Sequence, residues 1–177
     1  KEKLAVLGEL LKLSKHIVIT AHKSPDGDSI GSSLGLYHYI KQINPNVFIC
    51  HPDPAPKFLH WMPGFEDILT HEIETQVVEK HFEEADLIFC LDYNSSGRIG
   101  KMESPLVNSK AKKVMIDHHR DPDTNFCDLM YVRQTSSTAS HCHNNDETET
   151  SMSFVYWSVK TGATATHPPA TGLGGCV

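Results

Sequence analysis

The stretch HIVITAHKSPDGDSIGSSLGL, residues 16–36, combines the three local patterns that decide the fold. Residues 16–21 are apolar and largely β-branched, which is typical of a buried strand. Residues 22–28 form a polar turn, and apolar residues return at helical spacing over residues 29–43. A strand, a turn and a helix in immediate succession predict the first unit of an α/β domain.

Strand and helix patterns alternate along the chain on both sides of this stretch. Apolar runs predict further strands at residues 47–50, 87–91, 113–116 and 126–131. Amphipathic spacing predicts further helices at residues 3–14, 72–84 and 100–109. This alternation predicts an α/β fold with a mostly parallel sheet and helices on both of its faces.

Two segments between these elements are predicted to be loops. The first is rich in proline, and its apolar residues Phe58, Leu59, Trp61 and Met62 are expected to form a packing patch. The second is SSGRIG at residues 95–100.

Composition limits the partners of the chain. Its 177 residues carry a formal net charge of −6 and have a pI of about 6.0. This charge provides no basic surface that could hold long nucleic acid. A short anionic substrate is still compatible with it, because bound cations invert the local charge.

The cysteines and the apolar runs bear on the cellular compartment. The five cysteines are scattered, form no CxxC pair, and in part lie in apolar runs, as Cys50, Cys90 and Cys127 do. These three are therefore interpreted as small buried thiols, which favours a reducing compartment. The amino-terminal segment does not resemble a signal peptide, and no apolar run reaches the roughly 20 residues of a membrane helix. We expect a cytoplasmic protein that does not enter a membrane.

Three of the predicted strands end in histidine or aspartate. The first is followed by His22, Asp26 and Asp28, the third by Asp92, and the fourth by the Asp-His-His triplet at residues 117–119. Ligands of such sheets bind at the carboxyl ends of strands. The three clusters are therefore expected to form one site.

Each cluster alone also has a purely structural interpretation. Asp28 or Ser29 could cap the following helix, Asp92 could cap the loop that follows it, and a lone histidine is often a hydrogen-bonded core residue. The coincidence of three clusters favours a metal site instead. Imidazole and carboxylate donors without thiolate suit Mn²⁺, Mg²⁺ or Fe²⁺, and the set is large enough for two ions about 3.5–4 Å apart.

The order of these motifs resembles the DHH phosphoesterase family. H-x-x-P-D-G-D-S-I-G-S stands at residues 22–32, LDYNSSGRIG at residues 91–100, and Asp-His-His at residues 117–119. SSTAS, residues 136–140, resembles the small-residue stretch that opens the family's next helix. Within the family, the chain is most similar to the branch of oligoribonucleases (nanoRNases) that also act as pAp phosphatases.

The resemblance implies two divalent metal ions, with manganese as the first choice and magnesium, iron or cobalt as alternatives. His22 and Asp26 would bind the first ion, and Asp28 and His118 the second. Asp92 would bridge the two.

The resemblance also implies further roles in catalysis and substrate binding. His119 would face the substrate phosphate as a catalytic and substrate-binding residue, and Asp117, also counted among the catalytic residues, would orient the groups that surround the metal ligands. Arg98 would bind substrate near the metals, and Asp92 would count among the catalytic residues as well as the metal ligands.

The carboxyl-terminal part of the chain departs from the family pattern. Residues 1–140 are predicted to form the DHH domain, and residues 141–177 an aberrant or loosely ordered tail. The family's TDTG motif and the GGGH-like motif of its second domain do not appear. We therefore expect an intact second domain to be missing.

The function predicted from the resemblance is hydrolysis of short oligoribonucleotides or of 3′-phosphoadenosine 5′-phosphate by a metal-activated water. A cyclic-dinucleotide phosphodiesterase and a pyrophosphatase or polyphosphatase are alternatives with the same metal core. A third alternative is a metal- or nucleotide-binding domain without turnover. The predicted partner is thus a short RNA or a nucleotide, and the oligomeric state, including a homodimer, stays open.

Overall fold

The computed structural model describes residues 2–132 and 137–138. The described chain contains four α-helices and six β-strands. In chain order they are α1 (Glu2–Leu13), β1 (Ile17–Ala21), α2 (Gly27–Lys41), β2 (Val47–His51), β3 (Ile68–Thr70), α3 (His71–Glu84), β4 (Leu87–Leu91), α4 (Glu103–Asn108), β5 (Lys112–Asp117) and β6 (Leu129–Val132).

The six strands form one sheet in the order β3-β2-β1-β4-β5-β6, and every neighbouring pair is parallel. Strand β1 lies at the centre, where Ile19 is in register with Ile49 of β2 and with Phe89 of β4. The strand order reverses direction between β1 and β4. At such a reversal the loops leave the sheet on opposite sides and open a crevice at the carboxyl ends of the two strands.

Helices cover both faces of the sheet, which confirms the predicted α/β architecture. On one face, α1 and α2 pack their apolar residues on one alternating set of strand side chains, including Ile17 and Ile19. On the other face, α3 and α4 pack on the opposite set, including Val18 and Cys90. Successive side chains of a strand point to opposite faces of the sheet. A strand that is buried along its whole length therefore contributes side chains to the cores on both faces.

Several boundaries differ from the sequence prediction. The short edge strand β3 was not predicted, since three residues carry too little pattern. Strand β5 extends to include Asp117, and the last strand begins at Leu129 rather than at residue 126. The predicted SSGRIG loop folds instead into successive 3-10 turns over Ser96–Met102, broken at Gly100, whose φ is 57°.

The prediction of a packing patch in the proline-rich segment was wrong for its two largest residues. Leu59 is buried and Met62 packs partly on the core, but Phe58 and Trp61 are 71% and 75% exposed. The segment contains two short 3-10 turns, Lys57–Leu59 and Phe65–Asp67. A turn this short directs about one side chain in three toward the core.

The predicted burial of the cysteines is confirmed for Cys50 and Cys90. Cys50 and Cys90 are buried, Cys127 is partly buried, and all three are free thiols. Burial raises the pKa of the Cys50 thiol well above its usual range. Among the described residues, no helix is long and apolar enough to cross a membrane. The predicted tail, residues 141–177, lies outside the described residues.

Candidate metal centre

His22 is the first residue after β1 and is almost completely buried. Its Nδ1 lies 2.7 Å from the carbonyl oxygen of Lys23. Because a carbonyl only accepts, Nδ1 carries the proton and donates it, which leaves the lone pair on Nε2. That nitrogen lies 3.5 Å from Oδ2 of Asp92 and 3.9 Å from Oδ1 of Asp26. The ring is thus oriented as a ligand, as expected for a metal-binding histidine.

Asp26 caps helix α2. Its Oδ1 accepts hydrogen bonds from the backbone N–H groups of Asp28 and Ser29, at 2.9 and 3.0 Å, and the Ser29 hydroxyl accepts one from the Asp26 N–H at 2.9 Å. The alternative interpretation, in which Asp28 or Ser29 caps the helix, places the cap two or three residues too late. The helix begins at Gly27, so Ser29 is instead the reciprocal partner of a capping box. Capping holds the Asp26 carboxylate beside His22, and 64% of its side chain remains exposed.

Neighbouring loops hold the turn between His22 and Asp26 in place. Ser24 has a φ of 55°, and its backbone N–H donates to Oδ2 of Asp53 over 2.7 Å. The N–H of Lys23 donates to the carbonyl oxygen of Arg98 over 2.9 Å. Arg98 therefore adjoins the site through its backbone, while the residue itself is exposed.

Asp92 occupies the centre of the site. It follows β4, is only 2% exposed, and adopts a φ of 61°. A non-glycine residue in this region costs roughly 1–2 kcal/mol, and such strain concentrates at functional sites. Oδ2 of Asp92 faces His22, and Oδ1 lies 3.3 Å from Nε2 of His118. The two oxygens of this carboxylate thus face two different histidines.

The second half of the site contains Asp28 and His118. Oδ2 of Asp28 lies 3.6 Å from Nε2 of His118. Thr138 connects this half to the centre: its backbone N–H donates to Oδ2 of Asp28 over 2.7 Å, and its hydroxyl donates to Oδ1 of Asp92 over 2.8 Å. Thr138 was not among the predicted site residues. The signal that pointed to it was the SSTAS stretch, of which the structure describes only Ser137 and Thr138.

His119 is oriented by Asp117. Its Nδ1 lies 2.7 Å from Oδ1 of Asp117, which is completely buried at the end of β5. The Nδ1–H therefore donates to the carboxylate, and Nε2 is the remaining donor or acceptor of the ring. Within the described part of the chain, Oδ2 of Asp117 has no hydrogen-bond partner. A buried carboxylate oxygen without a partner is costly, and such atoms are rare in folded proteins.

The protonation equilibria of His22 and Asp92 are coupled by their contact. The hydrogen bond with Asp92 raises the pKa of His22 above its ordinary value, although burial acts in the opposite direction. Burial alone would raise the pKa of Asp92, but hydrogen bonds from His22 and Thr138 and the nearby imidazoles lower it. Both shifts favour a charged pair, in which the proton occupies the place that a cation would take.

The donor set fits divalent cations. Ligand atoms of His22, Asp26 and Asp92 all lie within 4.8 Å of one another, and the same holds for Asp92, His118 and His119. Asp92 is common to both groups, and Asp28 adjoins the second through His118. The structure therefore brings together all five predicted metal ligands. It places the Arg98 side chain at the surface, without a contact that links it to them.

His51 is a further residue that the sequence interpretation missed. It ends β2, is completely buried, and its Nε2 lies 3.0 Å from the hydroxyl of Ser33. Burial, together with the nearby His22, lowers the pKa of His51 to about 3, so the imidazole is neutral near pH 7. Nothing in its sequence context distinguishes this residue from an ordinary core histidine.

Comparisons with known proteins agree on the family. The family model "DHH family, N-terminal domain" matches residues 16–164. A bifunctional oligoribonuclease and PAP phosphatase of Thermus thermophilus is 42% identical over 67 residues, covering 37% of this chain and 20% of that protein. A cyclic-di-AMP phosphodiesterase of Listeria monocytogenes is 25% identical over 120 residues, covering 64% of this chain and 18% of that protein.

A solved structure agrees with the fold. An exopolyphosphatase-related protein of Bacteroides fragilis superposes with a TM-score of 0.77 at 39% identity, covering 78% of this chain and 41% of that one. The matches to curated relatives span between 18% and 37% of the relatives' own lengths.

Proposed function

The chain belongs to the DHH family, and on this premise we propose that it is a metal-dependent phosphoesterase that hydrolyses short oligoribonucleotides or 3′-phosphoadenosine 5′-phosphate. The observation that carries the proposal is the position of Asp92. A buried carboxylate under backbone strain directs one oxygen toward His22 and the other toward His118. A purely structural aspartate would not need two histidine partners on opposite sides.

The proposed ligands divide into two groups around Asp92. His22 and Asp26 would bind one ion, and Asp28 and His118 the other, with Asp92 shared between them. Two such ions would lower the pKa of a bound water and neutralise charge on phosphoryl oxygens. Imidazole and carboxylate donors suit manganese, which we propose as the native metal, with magnesium, iron or cobalt as alternatives.

Residues of the chain itself would position the substrate phosphate. Asp117 fixes His119 through the 2.7 Å hydrogen bond to Nδ1, so that Nε2 is free to contact a phosphoryl oxygen. Thr138 restrains the Asp28 carboxylate, which would bind the second ion, and the Asp92 carboxylate, which would be shared by both. The backbone contact between Lys23 and Arg98 brings the arginine to the rim of the crevice, where we propose that its exposed guanidinium meets the substrate.

The choice of substrate rests on the relatives and on charge. Three curated relatives are named oligoribonuclease and PAP phosphatase, one of them as probable, and the net charge of −6 disfavours long nucleic acid. A cyclic dinucleotide is the second candidate, because two cyclic-di-AMP phosphodiesterases match 64% and 76% of the chain. The three free thiols among the described cysteines agree with the cytoplasmic location that we propose.

The test is a substrate panel with the full chain. Release of mononucleotide or phosphate is measured from a short oligoribonucleotide, 3′-phosphoadenosine 5′-phosphate, a cyclic dinucleotide and polyphosphate, with Mn²⁺ and with EDTA. We expect Mn²⁺-dependent release from the first two substrates, lost in His118→Ala. If only the cyclic dinucleotide is hydrolysed, the substrate proposal is wrong and the second candidate takes its place. If only polyphosphate is hydrolysed, nucleotides are excluded as substrates.

Metal binding without any turnover would overturn the enzyme proposal. Calorimetry with Mn²⁺ on the same samples separates this outcome from a protein that has failed to bind metal. In that case the chain would be a metal- or nucleotide-binding domain.

A further inference from the structure

A second group of histidine and carboxylate side chains lies at the opposite end of the sheet. His16 immediately precedes β1, and His81 and Glu84 lie near the end of α3. Nε2 of His16 is 3.0 Å from Nδ1 of His81, and Nδ1 of His16 is 3.9 Å from Oε2 of Glu84. One ligand atom from each residue lies within 4.8 Å of the other two.

This group is separate from the candidate metal centre. His16 and His22 flank the two ends of β1, and six residues of extended chain span roughly 20 Å. The two groups therefore share no residue and cannot share an ion.

The backbone and an aromatic ring hold the two imidazoles in place. Asp86 accepts hydrogen bonds from the N–H groups of Lys15 and His16, at 2.8 and 3.1 Å. Phe48 stacks on both rings, with centroids 4.9 Å from His16 and 4.0 Å from His81. Restrained rings lose little entropy on binding a ligand, so the pair is preorganised.

The helix supplies the other two donors from one face. His81 and Glu84 are separated by three positions, and side chains at this spacing are neighbours on a helix surface. Oε1 of Glu84 lies 3.6 Å from Nζ of Lys80, whereas Oε2 is the oxygen nearer His16. The carboxylate can thus keep its exposed ion pair and still offer an oxygen to a cation.

The surroundings of His81 favour the neutral ring that a metal needs. Burial and the adjacent His16 lower the pKa of His81, although Glu84 acts in the opposite direction. A neutral ring keeps a lone pair for coordination, whereas a protonated ring has none. A bound ion would replace the hydrogen that the two rings share, with a small rotation of each ring.

We propose that His16, His81 and Glu84 form a second metal site that takes a late first-row divalent cation, with Zn²⁺ as the best match. Two imidazoles and one carboxylate are a known zinc donor set, and the fourth position would be filled by water. The site would connect the end of α3 to the start of β1 and stabilise the folded chain by linkage.

The first measurement is zinc stoichiometry on the full chain by equilibrium dialysis followed by metal analysis. We expect His81→Ala and Glu84→Gln each to lose one tightly bound equivalent relative to the unmodified chain. Glu83→Gln is the matched control, because it removes the neighbouring carboxylate of the same helix, and we expect it to bind zinc as the unmodified chain does. Glu84 is 49% exposed, so its variant should fold even if loss of the stacked His81 ring unfolds the chain.

The second measurement follows the histidine ring signals by NMR during zinc titration. We expect the signals of His16 and His81 to shift with the added equivalent, and to stay unchanged in Glu84→Gln at the same zinc concentration. The proposal is wrong if His81→Ala and Glu84→Gln bind as much zinc as the unmodified chain. It is also wrong if the His16 and His81 signals do not shift at saturating zinc. Neither readout depends on hydrolysis, so failure here is distinguishable from failure of the proposed function.

Discussion

The two ends of strand β1 carry similar donors in different surroundings. At the carboxyl end, His22 faces Asp92, a carboxylate that is 2% exposed and has a strained backbone. At the amino end, His16 faces Glu84, a carboxylate that is 49% exposed at the end of α3. The donors alone do not distinguish the two ends, but burial does. A buried charge with little solvent screening acts strongly on a bound ion or phosphate, whereas an exposed one is screened by water.

The topology of the sheet explains the difference. In a parallel sheet, the loops that follow the strands all lie at the carboxyl ends of the strands. The reversal of strand order between β1 and β4 leaves a crevice there. Loop backbones can adopt the positive φ values seen at Ser24 and Asp92 and so aim side chains inward. The amino edge receives a helix end instead, whose side chains remain near the solvent.

The largest expected effect comes from removing the charge at the carboxyl end. Asp92→Asn keeps a side chain that tolerates the left-handed backbone but removes the negative charge between the proposed ions. We expect metal-dependent hydrolysis to fall at least on the order of 10²–10³-fold, as for loss of a central electrostatic group. Zinc binding at the amino end should not change. Initial rates and zinc stoichiometry on the same preparation measure both.

Asp121→Asn is the control for this variant. Asp121 also has a positive φ, of 54°, but it is exposed, so the same chemical change should leave hydrolysis unaltered. Equal rates for Asp92→Asn and the unmodified chain would mean that the buried carboxylate is structural and that the contrast between the two ends is wrong.

A smaller effect is expected from Thr138, which connects the two carboxylates. Thr138→Val keeps the shape and the backbone N–H that binds Asp28, but it loses the hydroxyl that donates to Asp92. We expect about a 10–100-fold loss of Mn²⁺ affinity, as for other groups that orient metal ligands. Calorimetry measures this, and Thr138→Ser should restore the affinity. If Thr138→Ser binds Mn²⁺ as weakly as Thr138→Val does, loss of the hydroxyl is not the cause of the weaker binding.

The pH dependence should also sharpen the contrast. Because the pKa of His22 is raised, protons compete with metal there, and Mn²⁺ affinity should increase with pH by about tenfold per unit until His22 deprotonates. The stability of the metal-free chain should depend on pH in the opposite direction, because it decreases as pH rises. The raised pKa contributes stability below the unfolded value of about 6.5, and that stability is lost as pH rises through the folded pKa.

Calorimetric titration with Mn²⁺ between about pH 5.5 and 8.5 tests this dependence. His22→Asn should flatten it. An affinity that does not vary with pH in the unmodified chain would show that His22 is not a ligand.

The smallest expected effect concerns the support of the turn. Asp53→Ala removes the acceptor for the N–H of Ser24, and loss of one partly exposed hydrogen bond should lower the free energy of unfolding by about 1 kcal/mol. Urea denaturation measures this, and Asp53→Asn keeps an acceptor oxygen and should lose less. If Asp53→Ala lowers the free energy of Mn²⁺ binding by more than the free energy of unfolding, the hydrogen bond acts mainly on the metal site.

Local patterns predicted the sheet well because a buried strand is recognisable from its own residues. LIFCL at residues 87–91 is apolar throughout, and its predicted bounds equal those of β4. The short β3 and the exposed Trp61 were not predictable in this way. A three-residue strand has no periodicity, and the burial of an aromatic residue in a loop depends on neighbours that the local sequence does not specify.

The sequence by itself determined which residues end the strands of the sheet, because apolar runs define the strands and the polar residues after them must lie at the carboxyl edge. It thereby predicted the cluster of His22, Asp92 and His118. Only the tertiary structure decided that Asp92 takes a left-handed backbone and that Thr138 donates to a carboxylate 46 positions earlier. These features depend on distances between residues far apart in the chain, which are fixed only when the whole sheet has assembled.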